Sequence, residues 1–200
     1  MRARLVATAL GLAVLAGCGA PAPPSTADGT PIDPYPSEAV DYCESNHGEV
    51  QYRHPTYGTN NDESAWVPLG RAIATCKLET LGDDTAIVVD LNTLYSENPT
   101  LAALAYLQSS TPADLRPSGN PAAAICSALG GTSAFGPGVN GGGLADPDDA
   151  DFAVFAPCAF ADGSFIEEWG IAYHQEGTIR GADLEPLFRF DVSKAPHVYD

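Results

Sequence analysis

Positive charge is what this 200-residue chain has least of. Nine Lys and Arg stand against 26 Asp and Glu, a formal net charge of −17. That balance repels phosphate backbones, so nucleic acid is excluded as a partner, and anionic lipid headgroups are disfavoured. Long apolar runs are missing as well. The longest is Leu5–Leu15, and eleven residues at about 1.5 Å each cannot cross a hydrocarbon core of about 30 Å. The four histidines, His47, His54, His174 and His197, make no H-E-x-x-H spacing, and no G-x-S-x-G is present. Zincin-type and serine-hydrolase chemistry therefore have no foothold. An acidic chain can be disordered, but 44% of these residues are hydrophobic, which predicts a folded core.

The N-terminus carries an export pattern. Met1-Arg2-Ala3-Arg4 is a basic start, Leu5–Leu15 an apolar stretch, and Leu15-Ala16-Gly17-Cys18 closes it with small residues before cysteine. This is the layout of a signal peptide over residues 1–17. The Leu-Ala-Gly-Cys element resembles the lipobox of bacterial lipoproteins. The resemblance implies cleavage before Cys18, a diacylglyceryl group on its thiol and an acyl chain such as palmitate on its amine. Two or more chains anchor stably where one does not, so Cys18 would moor the protein to a cell membrane on the exported side. Cleavage removes Arg2 and Arg4, leaving 7 basic and 26 acidic residues and a charge of −19. Residues 18–36 form the lipidated N-terminus and linker, in which Pro21, Pro23, Pro24, Pro31, Pro34 and Pro36 favour extension. At about 3.1 Å per residue such a linker reaches roughly 55 Å from a bilayer.

Four cysteines remain, an even number in an exported chain, which predicts a disulfide framework. Cys43 and Cys76 are 33 positions apart, and Cys126 and Cys158 are 32 apart. The first members of the two pairs lie 83 apart and the second members 82, and overlaying the halves at that offset sets Ala39, Tyr42 and Cys43 on Ala122, Ile125 and Cys126, one helical face. Gly48 falls on Gly131. Further along, Ala72, Ala74, Cys76 and Leu78 fall on Val154, Ala156, Cys158 and Phe160, the alternation of a strand. The pattern predicts an α+β fold of two tandem helix–strand–strand units, residues 37–110 and 117–200, each with one disulfide, Cys43–Cys76 and Cys126–Cys158. Loops of this length give roughly 3.5 kcal/mol of stabilisation per bridge on a chain-entropy estimate.

Local signals agree. In the first unit Ser37 is expected to cap a helix beginning at Glu38, and Arg71–Glu79 and Ala86–Asp90 to form strands around Gly82-Asp83-Asp84. Asn98-Pro99 opens a further helix carrying Leu101, Leu104 and Ala105, and Gln108–Gly119 is a polar joint. In the second, Asn120 and Pro121 start a helix and Gly130-Gly131 ends it. Phe152–Phe160 reads as a strand with Pro157 at an edge or bulge. Asp162-Gly163 marks a hairpin turn, and Ser164–Trp169 the return strand.

The motifs Asn120-Pro121-Ala122-Ala123 before Cys126, Gly130-Gly131, Cys158–Ser164 and Glu167-Glu168-Trp169 carry a resemblance. Over residues 120–175 the chain is similar to a small cysteine-rich family of unknown function, whose members are often lipoproteins labelled haemolysins. That family has a further cysteine just before Glu-Glu-Trp and another shortly after. Here Ile166 stands at the first position and no cysteine follows Trp169. The label is not carried over as an activity, because the chain has no amphipathic membrane-inserting segment.

Candidate chemistry is sparse. Gly136, Gly138 and Gly141 spell G-x-G-x-x-G, but Asp146, Asp148 and Asp149 follow instead of a helix, so the stretch is expected to be a loop. Asp146, Asp148, Asp149 and Asp151 lack EF-hand spacing and read as a solvated acidic loop. Glu167 and Glu168, placed on a strand, would point to opposite faces and could not share a substrate. The histidines read as surface positions. No catalytic residue, metal ligand or cofactor is assigned. The expected function is a lipid-anchored envelope protein that binds or supports rather than catalyses, its partners the membrane through Cys18 and an envelope protein. An inhibitor of an exported hydrolase would present a protruding loop, for which Ala134–Asp149 is the candidate. A carboxylate-dependent hydrolase would instead show a pocket with convergent, shifted carboxylates, the residues around Asp148–Asp151 being its candidates.

Overall fold

Where a helix ends and its chain must double back beneath it, glycine sets the geometry, and this happens twice. Helix α1 (Ser37–Ser45) buries Ala39 and Cys43, and the Gly48 amide donates to the Cys43 carbonyl at 2.9 Å as the chain turns into β1 (Glu49–Tyr57). Helix α4 (Pro121–Ala128) buries Ala122, Ile125 and Cys126, and the Gly131 amide donates to the Cys126 carbonyl at 2.9 Å before β5 (Thr132–Ser133). A Cβ on either glycine would collide with both sulfurs of the adjacent bridge. The bridges are Cys43–Cys76 and Cys126–Cys158, with Cα–Cα separations of 5.8 and 5.6 Å. The expected pairing is the one formed.

The computed structural model describes residues 35–80, 84–108, 119–133, 140–149 and 151–196. The signal peptide, Cys18 and nearly all of the proline-rich linker lie outside these residues, as do most of the polar joint and positions 134–139. The remaining elements are β2 (Val67–Pro68), β3 (Ile73–Glu79), β4 (Ala86–Asp90), α2 (Leu91–Tyr95), α3 (Leu101–Leu107), β6 (Gly142–Ala145), β7 (Val154–Phe155), β8 (Pro157–Ala159), β9 (Phe165–Glu167) and α5 (Glu168–Gln175). The fold is α+β.

The strands form one sheet in the order β5-β8-β9-β4-β3-β1-β6-β7, with β2 also paired to β1. The two halves of the chain meet in it through the pair Val89↔Ile166, and β6 from the second half pairs with β1 of the first. Strand alternation divides the buried residues. Ala74, Cys76, Leu78, Ile87, Val89, Cys158 and Ile166 pack against the helices in the main core. Val88, Leu144, Phe155 and Phe165 form a second cluster on the opposite face. β7 ends at Phe155 and β8 starts at Pro157, so Ala156 alone connects strands at opposite ends of the seven-strand run from β8 to β7. The sheet must therefore curl until those ends meet, and the second cluster fills the interior of the curl.

Several expectations are corrected. Pro36 occupies the cap position of α1, and the Ser37 hydroxyl donates to Glu38 Oε2 at 3.1 Å instead of capping. Phe152–Phe160 is not one strand: it breaks at Ala156, and Pro157, which has no N–H to give, opens β8. The return strand stops at Glu167, whose carboxylate accepts from the Trp169 and Gly170 amides at 3.0 and 2.5 Å and so starts α5. In α3 the buried residues are Ala102, Ala103, Ala105 and Tyr106, while Leu101 is 40% exposed. The Leu101 and Ala102 amides at the start of α3 donate to Asp162 and Ser164 at 2.8 and 3.0 Å. Each half also carries two strands the sequence reading omitted, β1 and β2 in the first and β5 and β6 in the second. In β1 the polar Gln51 and Arg53 alternate with Val50 and Tyr52 but face the interior of the curl, which hid the apolar signal.

Candidate functional site

An arginine with no accessible surface needs partners on every nitrogen. Arg53 sits inside the curled sheet at 0% exposure. Its Nε and Nη2 donate to Gln51 Oε1 at 2.9 and 2.7 Å, Nη1 to the Phe152 carbonyl at 2.7 Å, and Nη2 to Asp149 Oδ2 at 2.6 Å. The guanidinium also lies 5.1 Å from the Phe155 ring centroid. Asp149 takes further bonds from Gln51 Nε2, Lys77 Nζ and the Phe152 amide. Burial pushes its carboxyl up, yet these donors outweigh burial and hold it below the ordinary range. Asp149 is thus a buried ion-pair partner of Arg53 and Lys77 rather than part of a solvated acidic loop. Asp148 and Asp151 are exposed and Asp146 is half-buried. Of the candidate inhibitory loop, Ala134–Asp149, residues 134–139 lie outside the described residues, and Gly142–Ala145 form β6, paired on both sides by β1 and β7.

Two cavities open at the ends of the interior cluster. The first, about 270 Å³, is lined by Val88, Asn120, Phe155, Glu167, Glu168 and Arg180, among others. Glu167 and Glu168 share this wall despite being adjacent, because the strand ends at one and the helix begins at the next. Their expected separation onto opposite faces is overturned. Burial pushes Glu167 up to about 7, against the Arg180 charge and the two capping amides. Both of its oxygens are taken by those amides. Burial also raises Glu168, which is 1% exposed. Asn120 Nδ2 donates to its Oε1 at 2.6 Å. Oε2 and the buried Ser133 hydroxyl lack a well-formed hydrogen bond, although the hydroxyl is near enough to steady the carboxylate charge. On the same cavity wall Arg180 Nε is buried and unpaired, while its guanidinium lies over Tyr173 at 5.9 Å.

The second cavity, about 470 Å³, lies beside Ile73, Asp90, Leu144, Ala159, Asp162 and Phe165. Burial lifts Asp90 to about 6, while its Oδ2 accepts the Thr93 amide and hydroxyl at 2.9 and 2.8 Å and caps α2. Asp162 is likewise occupied, by the Leu101 and Ser164 amides and the Ser164 hydroxyl.

Of the residues singled out from sequence, Cys43, Cys76, Cys126 and Cys158 are in disulfides, and Cys18 lies outside the described residues. His47 is exposed, but His54 is half-buried, and His174 stacks on Tyr106 with centroids 3.9 Å apart rather than lying on the surface. His197 is outside the described residues. Among the described residues no group of three or more His, Cys, Asp or Glu is arranged to hold a metal ion, and no helix is long and apolar enough to cross a membrane. Asn120 was read as a cap and Arg180 not at all. Asn120 does cap α4, accepting from the Ala122 amide at 3.0 Å, and its amide nitrogen reaches Glu168 as well. No protein-family profile, curated protein or solved structure matches this chain.

Proposed function

We propose that this is a lipid-anchored, extracytoplasmic binding protein, built from two copies of one disulfide-stapled unit and holding a small ligand beside Glu168. The observation that carries the reading is a cavity whose wall includes a buried carboxylate with an oxygen that no protein donor properly satisfies. A buried, incompletely paired acceptor lowers stability unless something else pairs with it. The disulfides are compatible with an exported location. The export pattern and the Leu15–Cys18 lipobox resemblance supply the anchor, and the likeness to the haemolysin-labelled lipoprotein family points the same way.

Duplication is supported by matched positions. Cys76 pairs across the sheet with Val89, Cys158 with Ile166, and Val89 with Ile166. The next residues, Asp90 and Glu167, are both carboxylates that cap the following helix. Binding is favoured over catalysis because Glu167 is occupied by two amides, leaving Glu168 as the carboxylate at the site with spare capacity. The paired-carboxylate mechanism of glycoside hydrolysis needs two. The second reading, a carboxylate-dependent hydrolase, draws on Glu167 and Glu168 sharing one cavity with raised proton affinities.

The test has two parts. Intact mass and fatty-acid labelling of native protein should give a mature chain beginning at acylated Cys18, with labelling lost in Cys18→Ser. A thermal-shift screen of detergent-solubilised protein against envelope fragments should find a stabilising ligand that is not consumed. Turnover of that ligand, abolished in Glu168→Gln, would replace binding with hydrolysis. An unmodified Cys18 would remove the anchor. Capture of a stoichiometric hydrolase would move the reading to inhibition.

A further inference from the structure

The Glu168 cavity holds incompletely satisfied groups of opposite sign. Glu168 Oε2 is an acceptor with no well-formed bond, in a side chain 1% exposed. Arg180 Nε is a buried donor with no hydrogen-bond partner, although the Arg180 charge acts on Glu167. Both residues line the same volume of about 270 Å³. A simple amine would pair with Glu168 but bring its charge toward Arg180. A simple carboxylate would do the reverse. Either leaves one buried group unanswered, and a buried polar group without a partner destabilises the complex, an ion more than a neutral group. A ligand carrying an ammonium and a carboxylate on neighbouring atoms answers both and adds no net charge to a low-dielectric space.

We infer that this cavity binds a small zwitterion of the α-amino acid class, its ammonium on Glu168 and its carboxylate on Arg180. The proposal rests on the binding reading above and names the ligand class of that site. Asn120 orients Glu168 by holding Oε1, and Oε2, with the Ser133 hydroxyl nearby but no well-formed bond, has acceptor capacity for the ligand. Ala86, Val88, Val154, Phe155 and Trp169 supply the apolar part of the wall, beside the Glu167 carboxyl, and give an apolar side chain a surface to pack on. The volume sits at the small end of ligand cavities, matching a single amino acid rather than a peptide.

The experiment is isothermal titration of the mature, detergent-solubilised protein with L-leucine, isopentylamine and 4-methylpentanoate. The last two are leucine without its carboxylate and without its ammonium. L-leucine should give saturable heat, and each analogue should bind at least about tenfold more weakly, the loss of one charge-assisted contact. Glu168→Gln and Arg180→Met should each weaken L-leucine by a similar factor, while cooperative melting shows that both variants are folded. If isopentylamine binds as tightly as L-leucine, the site takes a monocation and the zwitterion proposal falls. If a neutral sugar shifts the melting temperature, and Glu168→Gln removes that shift while L-leucine gives none, the ligand class falls and the binding reading stands. If no probe binds folded protein, both fall.

Discussion

Glu167 offers a prediction that isolates one physical cause. It is 6% exposed, and burial raises it from 4.5 to about 7 even though two amides cap onto it. Between those pH values the folded chain holds a proton that the unfolded chain has lost. Stability must therefore fall as pH rises through this window, with the full benefit present below 4.5. At 1.36 kcal/mol per pH unit the loss is on the order of 3 kcal/mol. Asp90, lifted from 3.8 to about 6, acts in the same direction. Asp149 and Asp162 are held below 3.8 and titrate outside the window. Burial lowers His174 from 6.5, which adds a gain with rising pH, so the wild-type curve alone is a mixture. Comparison with Glu167→Gln separates the contribution. At pH 4.5 the folded wild type holds Glu167 as a neutral acid, which like Gln offers one carbonyl oxygen to the cap, so the two proteins should be of similar stability. By pH 8 the variant should be ahead by about 3 kcal/mol, the loss worked out for the wild type. Urea denaturation at pH 4.5, 6 and 8 measures the gap. A gap that stays constant across pH would mean that the capping amides outweigh burial, refuting the reasoning.

Arg53→Met should cost about 3–5 kcal/mol by leaving the Phe152 carbonyl and part of Asp149 unpaired. Combined with Asp149→Asn the loss should be clearly less than additive, read from urea midpoints, because the residues share one network. Replacing Cys43 and Cys76 by Ala should lower stability by roughly 3.5 kcal/mol on the chain-entropy estimate, and the Cys126–Cys158 pair by nearly the same, since the loops differ by one residue. Calorimetry of each double variant checks this, and a loss confined to one bridge would contradict it. Gly131→Ala should lower the melting temperature by several degrees, because its Cβ meets both sulfurs and the Phe160 ring. Gly163→Ala, where a Cβ meets nothing but φ is +85°, should show only the smaller backbone penalty.

The Glu167–Glu168 pair shows why part of the candidate site was not legible in sequence. Read by alternation, the two carboxylates diverge. They converge because two amides capture Glu167 and switch the backbone from strand to helix between them. Arg180 lies beyond α5, and the fold alone makes it a wall of the same cavity. Asp149 looked solvated because its partners Arg53 and Lys77 are 96 and 72 positions away. Asn120 was legible as a cap because capping is local; its bond to Glu168, 48 positions on, was not.

Spacing and local chemistry determined the α+β class, the pairing of four cysteines and the hairpin at Asp162-Gly163, because each depends on near neighbours or on a short loop closing. Tertiary structure alone decided how the sheet curls. Its ends are joined through Ala156, with β6 laid on β1, and the curl buries a charged network and sets a carboxylate and a guanidinium on one cavity wall. Those contacts join residues far apart in the chain, and a linear pattern of apolar and polar positions carries no record of which distant partner offsets the desolvation of a given charge.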